Sequence, residues 1–119
     1  MSENMPAGTD GPTVPAVISR YQHAHDQRDI ETALSAFSTD ATVVDEDQQY
    51  DGTERIRAWL STASTEYTYT RTFVNAERTS ASSWIVVNHL EGNFPGGQVD
   101  LRFQYTLAGD KISALTIAP

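Results

Sequence analysis

Residues 84–107 read WIVVNHLEGNFPGGQVDLRFQYTL, two stretches rich in β-branched and aromatic residues on either side of Pro95-Gly96-Gly97. Such a pair of runs around a turn signal predicts a β-hairpin. With Phe94 facing Gly97, Leu90 pairs with Leu101, Asn88 with Phe103, Val86 with Tyr105 and Trp84 with Leu107. Side chains alternate along a strand, so all of these share one face, an apolar wall carrying one amide. The opposite face receives Val87, His89, Glu91, Asp100, Arg102 and Gln104 and is mainly polar.

Further turns are expected at Arg78–Ser82 and Ala108–Asp110, so everything beyond Thr65 reads as strand after strand. Upstream the periodicity changes. Val14, Val17, Ile18, Tyr21 and Ala24 recur at the spacing of one helix face, with Ser19, Arg20, Gln22, His23 and Asp26 elsewhere on the wheel. Asp29 is placed to cap a second helix with the stripe Ile30, Ala33, Leu34 and Phe37, which Ser38-Thr39-Asp40 ends. Ala41–Asp45 reads as a strand and Glu46–Asp51 as an acidic turn. Gly52-Thr53 then opens a third helix, with Thr53 capping and Ile56, Trp59 and Leu60 facing inward. Helices first and hairpins afterwards is an α+β layout. Met1–Thr13, rich in Pro, Gly and small polar residues, is expected to be a flexible lead-in to one domain over residues 14–119.

The 119 residues suit one core, and 39% hydrophobic against 20% charged residues marks a globular chain. No apolar run approaches the roughly 18 to 20 residues of a membrane span, and the start lacks the pattern of a secretory signal. The formal net charge of −8, with no cluster of Lys or Arg, argues against nucleic-acid and membrane partners. The absence of cysteine excludes disulfides and thiolate chemistry and fits a cytoplasmic protein.

Two residues stand where chemistry is expected. Tyr21 lies on the apolar face of the first helix, and Asp45 shares one side of its strand with Val43. A carboxylate there must be paired, hydrated or neutralised, and a buried tyrosine hydroxyl needs a partner. Together they suit proton abstraction beside a carbonyl, with Asp45 accepting and Tyr21 donating a hydrogen bond. The plainer alternatives are a strand-end carboxylate capping a turn and a core tyrosine bonded to backbone. Trp59, Trp84, Phe103 and Tyr105 serve equally as core or as pocket wall. His23 and His25, two apart on a helix, point in different directions, and no third metal ligand accompanies them. Asp45-Glu46-Asp47 lacks the spacing of a calcium loop.

The stretch from Arg20-Tyr21 through Asp29-Ile30-Glu31 and Phe37 to Asp40-Ala41-Thr42-Val43-Val44-Asp45 resembles the N-terminal half of the ketosteroid isomerases. Their motif runs Arg-Tyr, then Gly-Asp-Ile-Glu, then Asp-Ala-Thr-Val-Glu-Asp, and the Tyr21-to-Asp45 separation matches it without a gap. The chain also resembles the SnoaL-like polyketide cyclases of the same NTF2-like superfamily. About half of the chain carries recognisable motif, and the sheet half is similar in pattern only. The resemblance implies a cone of three N-terminal helices packed into a curved, mostly antiparallel sheet of four to six strands, with a homodimer through the sheet.

It also implies a cofactor-independent isomerase or cyclase with a small apolar or carbonyl-containing ligand. In the family the tyrosine donates to the developing oxyanion and the aspartate shuttles the proton. Carried over, those roles fall on Tyr21 and Asp45, with Trp59 as an aromatic pocket residue. Phe103 stands where the isomerases place a second, protonated aspartic acid, and Phe37 and Leu60 stand where some have supporting tyrosines. Asn88 is the amide nearest that position. Val43, Trp59, Trp84, Asn88, Phe103 and Tyr105 are thus the expected binding residues. Relatives resembling limonene-epoxide hydrolase need an aspartate–arginine–aspartate set, for which Asp45, Arg71, Asp100 and Arg102 are the available types. A non-catalytic ligand-binding or dimerisation module is the alternative function.

Overall fold

In the computed structural model, which describes residues 14–119 without the side chains of residues 63–65, Val17, Ile18, Tyr21 and Ala24 form the buried face of helix α1 (Ala16–Asp26). The expected lead-in over residues 1–13 lies outside the described residues. Pro15 stands at the cap of α1, so the helix begins two residues after Val14. Gln22, which the wheel places off the apolar face, is also buried, because its amide is spent on hydrogen bonds to other inward side chains.

Helix α2 (Ile30–Ser35) starts as its sequence predicts. The Asp29 carboxylate accepts from the Thr32 amide at 3.2 Å and from its hydroxyl at 2.7 Å. Its apolar stripe is shorter than expected. Phe37 has left the helix and begins strand β1 (Phe37–Asp45), where it pairs with Ile112, and the Ile112 amide donates to Ala36 O at 2.8 Å. A pairing partner some seventy residues away has overridden the local helical spacing.

Two further expectations change at the next turn. The acidic turn contracts to Glu46-Asp47, and strand β2 (Gln48–Asp51) folds straight back so that Asp45 pairs with Gln48. Both turn residues have positive φ, 53° and 64°, the tight-hairpin geometry that Asn-Gly adopts with less strain. Helix α3 (Gly52–Glu66) follows with Asp51 at its cap and no side-chain capping bond, so Thr53 is already inside the helix. Ile56, Trp59 and Leu60 face inward as expected.

Strands β3 (Tyr69–Ser80), β4 (Ser83–Gly92), β5 (Gln98–Ala108) and β6 (Lys111–Ala118) complete a curved, open sheet of order β2-β1-β6-β5-β4-β3. Every neighbouring pair is antiparallel except β1 with β6. In the β4–β5 hairpin Trp84 faces Tyr105, Val86 faces Phe103, Asn88 faces Leu101 and Leu90 faces Val99. The register is two residues away from the one the Pro-Gly turn suggests. The loop is longer, because the Gly92 amide donates to Gly97 O at 2.9 Å and Phe94 belongs to the loop. An even shift preserves the faces, so the predicted inner and outer walls survive it. Gly92 also marks a close approach, since a Cβ there would meet Thr68 O at 2.2 Å.

The helices cover the concave face of the sheet, and Tyr21, Ile56, Leu60, Val86, Tyr105 and Leu115 meet in the core between them. No helix among the described residues is long and apolar enough to cross a membrane.

Candidate functional site

The helical layer does not fill the concave face. A cavity of about 470 Å³ opens between α1, the end of β1, α3 and the inner side of β3–β5. Tyr21, Asp45, Trp59 and Phe103 all lie on its wall. Asn88, Val43, Trp84 and Tyr105 do not. Val43 and Tyr105 are enclosed in the core, and Trp84 is half-buried against it. Asn88 is completely buried, and its Oδ1 accepts from Arg71 Nη1 at 3.1 Å, so the polar group that reaches the cavity at this point is Arg71.

Asp45 ends β1 just before the strained turn, half-buried, with the Trp59 indole donating to its Oδ2 at 3.0 Å. Burial pushes its carboxyl above the usual carboxylate range, the indole bond opposes that rise, and the Glu66 carboxylate adds to it. Trp59 comes from the inward face of α3, with its ring 6.2 Å from both Tyr50 and His25. Asp45, Glu46, Trp59 and Glu66 also border a smaller hollow of about 340 Å³.

Tyr21 is 1% exposed, and its hydroxyl has no hydrogen-bond partner among the described residues. Burial pushes the phenol well above its ordinary value, and Tyr105, Tyr69, Asp45 and Asp26 add to the effect. The group is therefore a fixed, protonated donor. Tyr21 lines the cavity, as do Tyr69, Asp45 and Asp26 among those four neighbours.

A polar cluster that sequence reasoning missed supports this wall. Arg71 on β3 donates from Nε and Nη2 to the Asp26 carboxylate at 2.7–3.1 Å, and from Nη1 to Gln22 Oε1 at 2.9 Å as well as to Asn88. Gln22 in turn donates to the Tyr105 hydroxyl at 3.0 Å. Arg71 and Asp45 belong to the aspartate–arginine–aspartate types read from the sequence. The carboxylate bound to Arg71 is Asp26, while Asp100 pairs with His89 on the outer face at 2.6 Å. The available sign was inward placement at helical spacing, since Gln22 and Asp26 are four residues apart on one helix.

His25 was missed in the same way, although Tyr21 and His25 are also four apart and therefore share a face. It lines the cavity with Nδ1 3.4 Å from the Tyr69 hydroxyl, whereas His23 is exposed. Burial pushes its imidazole down, Asp26 opposes this, and Arg71 and Arg28 reinforce it, so His25 is neutral near pH 7. No group of three or more His, Cys, Asp or Glu among the described residues is arranged to hold a metal ion.

Three helices packed on a curved, open, mixed sheet of six strands make an α+β cone of the NTF2-like type. No family model and no curated protein matches the sequence. Solved structures do match. A candidate polyketide cyclase, SMa1630 of Sinorhizobium meliloti, superposes with TM-score 0.83 at 25% identity, over 88% of this chain and 95% of that one. A Catenulispora acidiphila protein of ketosteroid isomerase-like fold, solved with trimethylamine, gives 0.79 at 18% over 90% and 87%. An NTF2-like protein of unknown function from Cytophaga hutchinsonii gives 0.70 at 14% over 90% and 92%. The chain has the NTF2-like fold that these structures share.

Proposed function

We propose that this chain is a cofactor-independent isomerase or cyclase acting on a small carbonyl compound, with Asp45 as the general base and Tyr21 as the hydrogen-bond donor. The observation that carries the reading is their shared cavity. A carboxylate made more basic by burial and a phenol with no protein acceptor face one space of about 470 Å³, the size of a small ring system. The carbonyl oxygen seats against the Tyr21 hydroxyl, and Asp45 takes the proton from the adjacent carbon. As that C–H bond breaks, its electron pair moves onto the oxygen, where the phenol stabilises the enolate. Asp45 then returns the proton to a different carbon, or the enolate carbon attacks a second carbonyl carbon of the same ligand, whose C–O π pair moves onto its oxygen and takes the proton from Asp45. The indole of Trp59 fixes the carboxylate, and Phe103 forms apolar wall.

Asp45→Asn keeps an acceptor for the indole but removes the base. Turnover of an accepted carbonyl substrate should fall about 10²- to 10⁴-fold, and unchanged turnover refutes the mechanism. A second reading, binding without turnover, is favoured by Phe103, which brings no acid to the cavity wall. It predicts saturable binding with no product, and stoichiometric conversion detected by mass spectrometry overturns it. Either reading includes a homodimer through the outer sheet face that carries His89, Arg102 and Gln104, which sedimentation would test.

A further inference from the structure

The cavity is unequally charged. Asp45, Glu46, Asp47 and Glu66 stand along one side of it, and Arg71 is the only Lys or Arg among its described lining residues. Arg71 is committed to Asp26 through three contacts of 2.7–3.1 Å, so that pair cancels and four carboxylates remain. Glu66 acts on Asp45, and both Glu66 and Glu46 act on Tyr67, whose hydroxyl is bonded to Glu66. Across the opening Tyr67, Tyr69 and Phe94 form an edge-to-face group, with Phe94 6.1 and 6.5 Å from its two partners, and Trp59 faces the same space.

Arg28 stands beside the opening, its Nη2 donating to Tyr67 O at 3.2 Å, so the carboxylates outnumber the nearby cations. Such an excess among aromatic faces suits a soft organic cation, which gains from both the ring quadrupoles and the charges. An anionic ligand meets the opposite field. The hydroxyl of Tyr21, buried, without a partner among the described residues and borne by a residue of the same cavity wall, independently calls for a ligand acceptor oxygen.

We infer that the ligand of this cavity is a small amine or quaternary ammonium compound that also carries a carbonyl oxygen. Its cationic head lies among Asp45, Glu66, Trp59 and Tyr67, and its oxygen lies against Tyr21. The inference rests on the reading of this cavity as the substrate site and narrows its substrate class.

The test uses three probes of one shape on the full chain: choline, its neutral isostere 3,3-dimethylbutan-1-ol, and the anion 3,3-dimethylbutanoate. Binding is followed by amide and indole chemical shifts at low ionic strength. Choline should bind at least about 10-fold tighter than the neutral probe, the anion should bind weakest, and the Trp59 indole should shift. Raising the salt to about 0.2 M should weaken choline and spare the alcohol. Glu66→Gln and Glu46→Gln, both at exposed positions that keep the fold, should each reduce the choline preference about two- to threefold.

Equal binding of choline and the alcohol overturns the inference, as does binding of neither at millimolar concentration. Displacement of choline by millimolar Mg²⁺ also overturns it, since it marks an inorganic cation site. If neutral ketones are turned over in an Asp45-dependent way while choline shows no preference, this inference fails and the proposed function stands.

Discussion

Two tyrosines meet in the core, 6.1 Å apart by ring centroids and both 1% exposed, yet their hydroxyls have opposite circumstances. The Tyr105 hydroxyl accepts from Gln22 at 3.0 Å, and the Tyr21 hydroxyl has no protein partner. Replacement by phenylalanine keeps each ring, including the Tyr21 edge contact with Phe37 at 5.2 Å, and deletes only the oxygen. Burying a hydroxyl without a bond costs about 1–3 kcal/mol, so Tyr21→Phe should stabilise the ligand-free fold by about 1–2 kcal/mol. Tyr105→Phe removes a hydrogen bond and leaves the buried Gln22 amide nitrogen without its acceptor, a loss of about 1–3 kcal/mol.

The two variants should therefore lie on opposite sides of the wild type, about 3 kcal/mol apart. At about 4–8 °C per kcal/mol for a domain of this size, thermal and urea melts by circular dichroism resolve that gap easily. The same Tyr21→Phe change should lower turnover about 10²- to 10³-fold, the scale of a lost oxyanion donor. If Tyr21→Phe loses as much stability as Tyr105→Phe, the hydroxyl is already satisfied in the free protein. A donor held ready for a ligand is then refuted.

Replacing Glu46-Asp47 by Asn-Gly relieves two non-glycine residues with positive φ. Chemical denaturation should show about 1–2 kcal/mol of added stability, with a reduced preference for choline over its neutral isostere. On the outer face, hydrogen bonds from the His89 ring to the Asp100 and then the Glu91 carboxylate raise the imidazole above its ordinary value. A raised folded value means that the protonated form stabilises the fold. That contribution is complete below the ordinary histidine range and disappears as pH rises through the folded value. The stability gap between wild type and His89→Gln should accordingly shrink as pH rises above the ordinary histidine range in urea melts, and a constant gap refutes the charged clamp.

The helical stripe of Val17, Ile18, Tyr21 and Ala24, the Asp29 cap and the alternation along residues 84–107 are local signals, and each is legible in the chain alone. The three-helix, curved-sheet architecture follows from their order and from the resemblance across residues 20–45. Alternation also places the inner and outer walls correctly despite the two-residue change of register, because parity is insensitive to an even shift. Residue type and spacing single out Tyr21 and Asp45, and the fold brings both to one cavity.

What stays hidden depends on contacts between distant segments. Phe37 reads as helix until Ile112 pairs with it. Asn88, Trp84, Tyr105 and Val43 have the composition of a pocket wall, but only packing decides which apolar residues face a void and which face each other. The Asp26–Arg71–Gln22–Asn88 cluster joins α1, β3 and β4, and no periodicity in one segment reveals a partner in another. Local pattern is enough for most of the elements, for their faces and for the two residues proposed to move a proton. Only the assembled fold makes Asp26 neutralise the one arginine while four carboxylates remain along the cavity, since charge balance in a pocket is set by which side chains meet there.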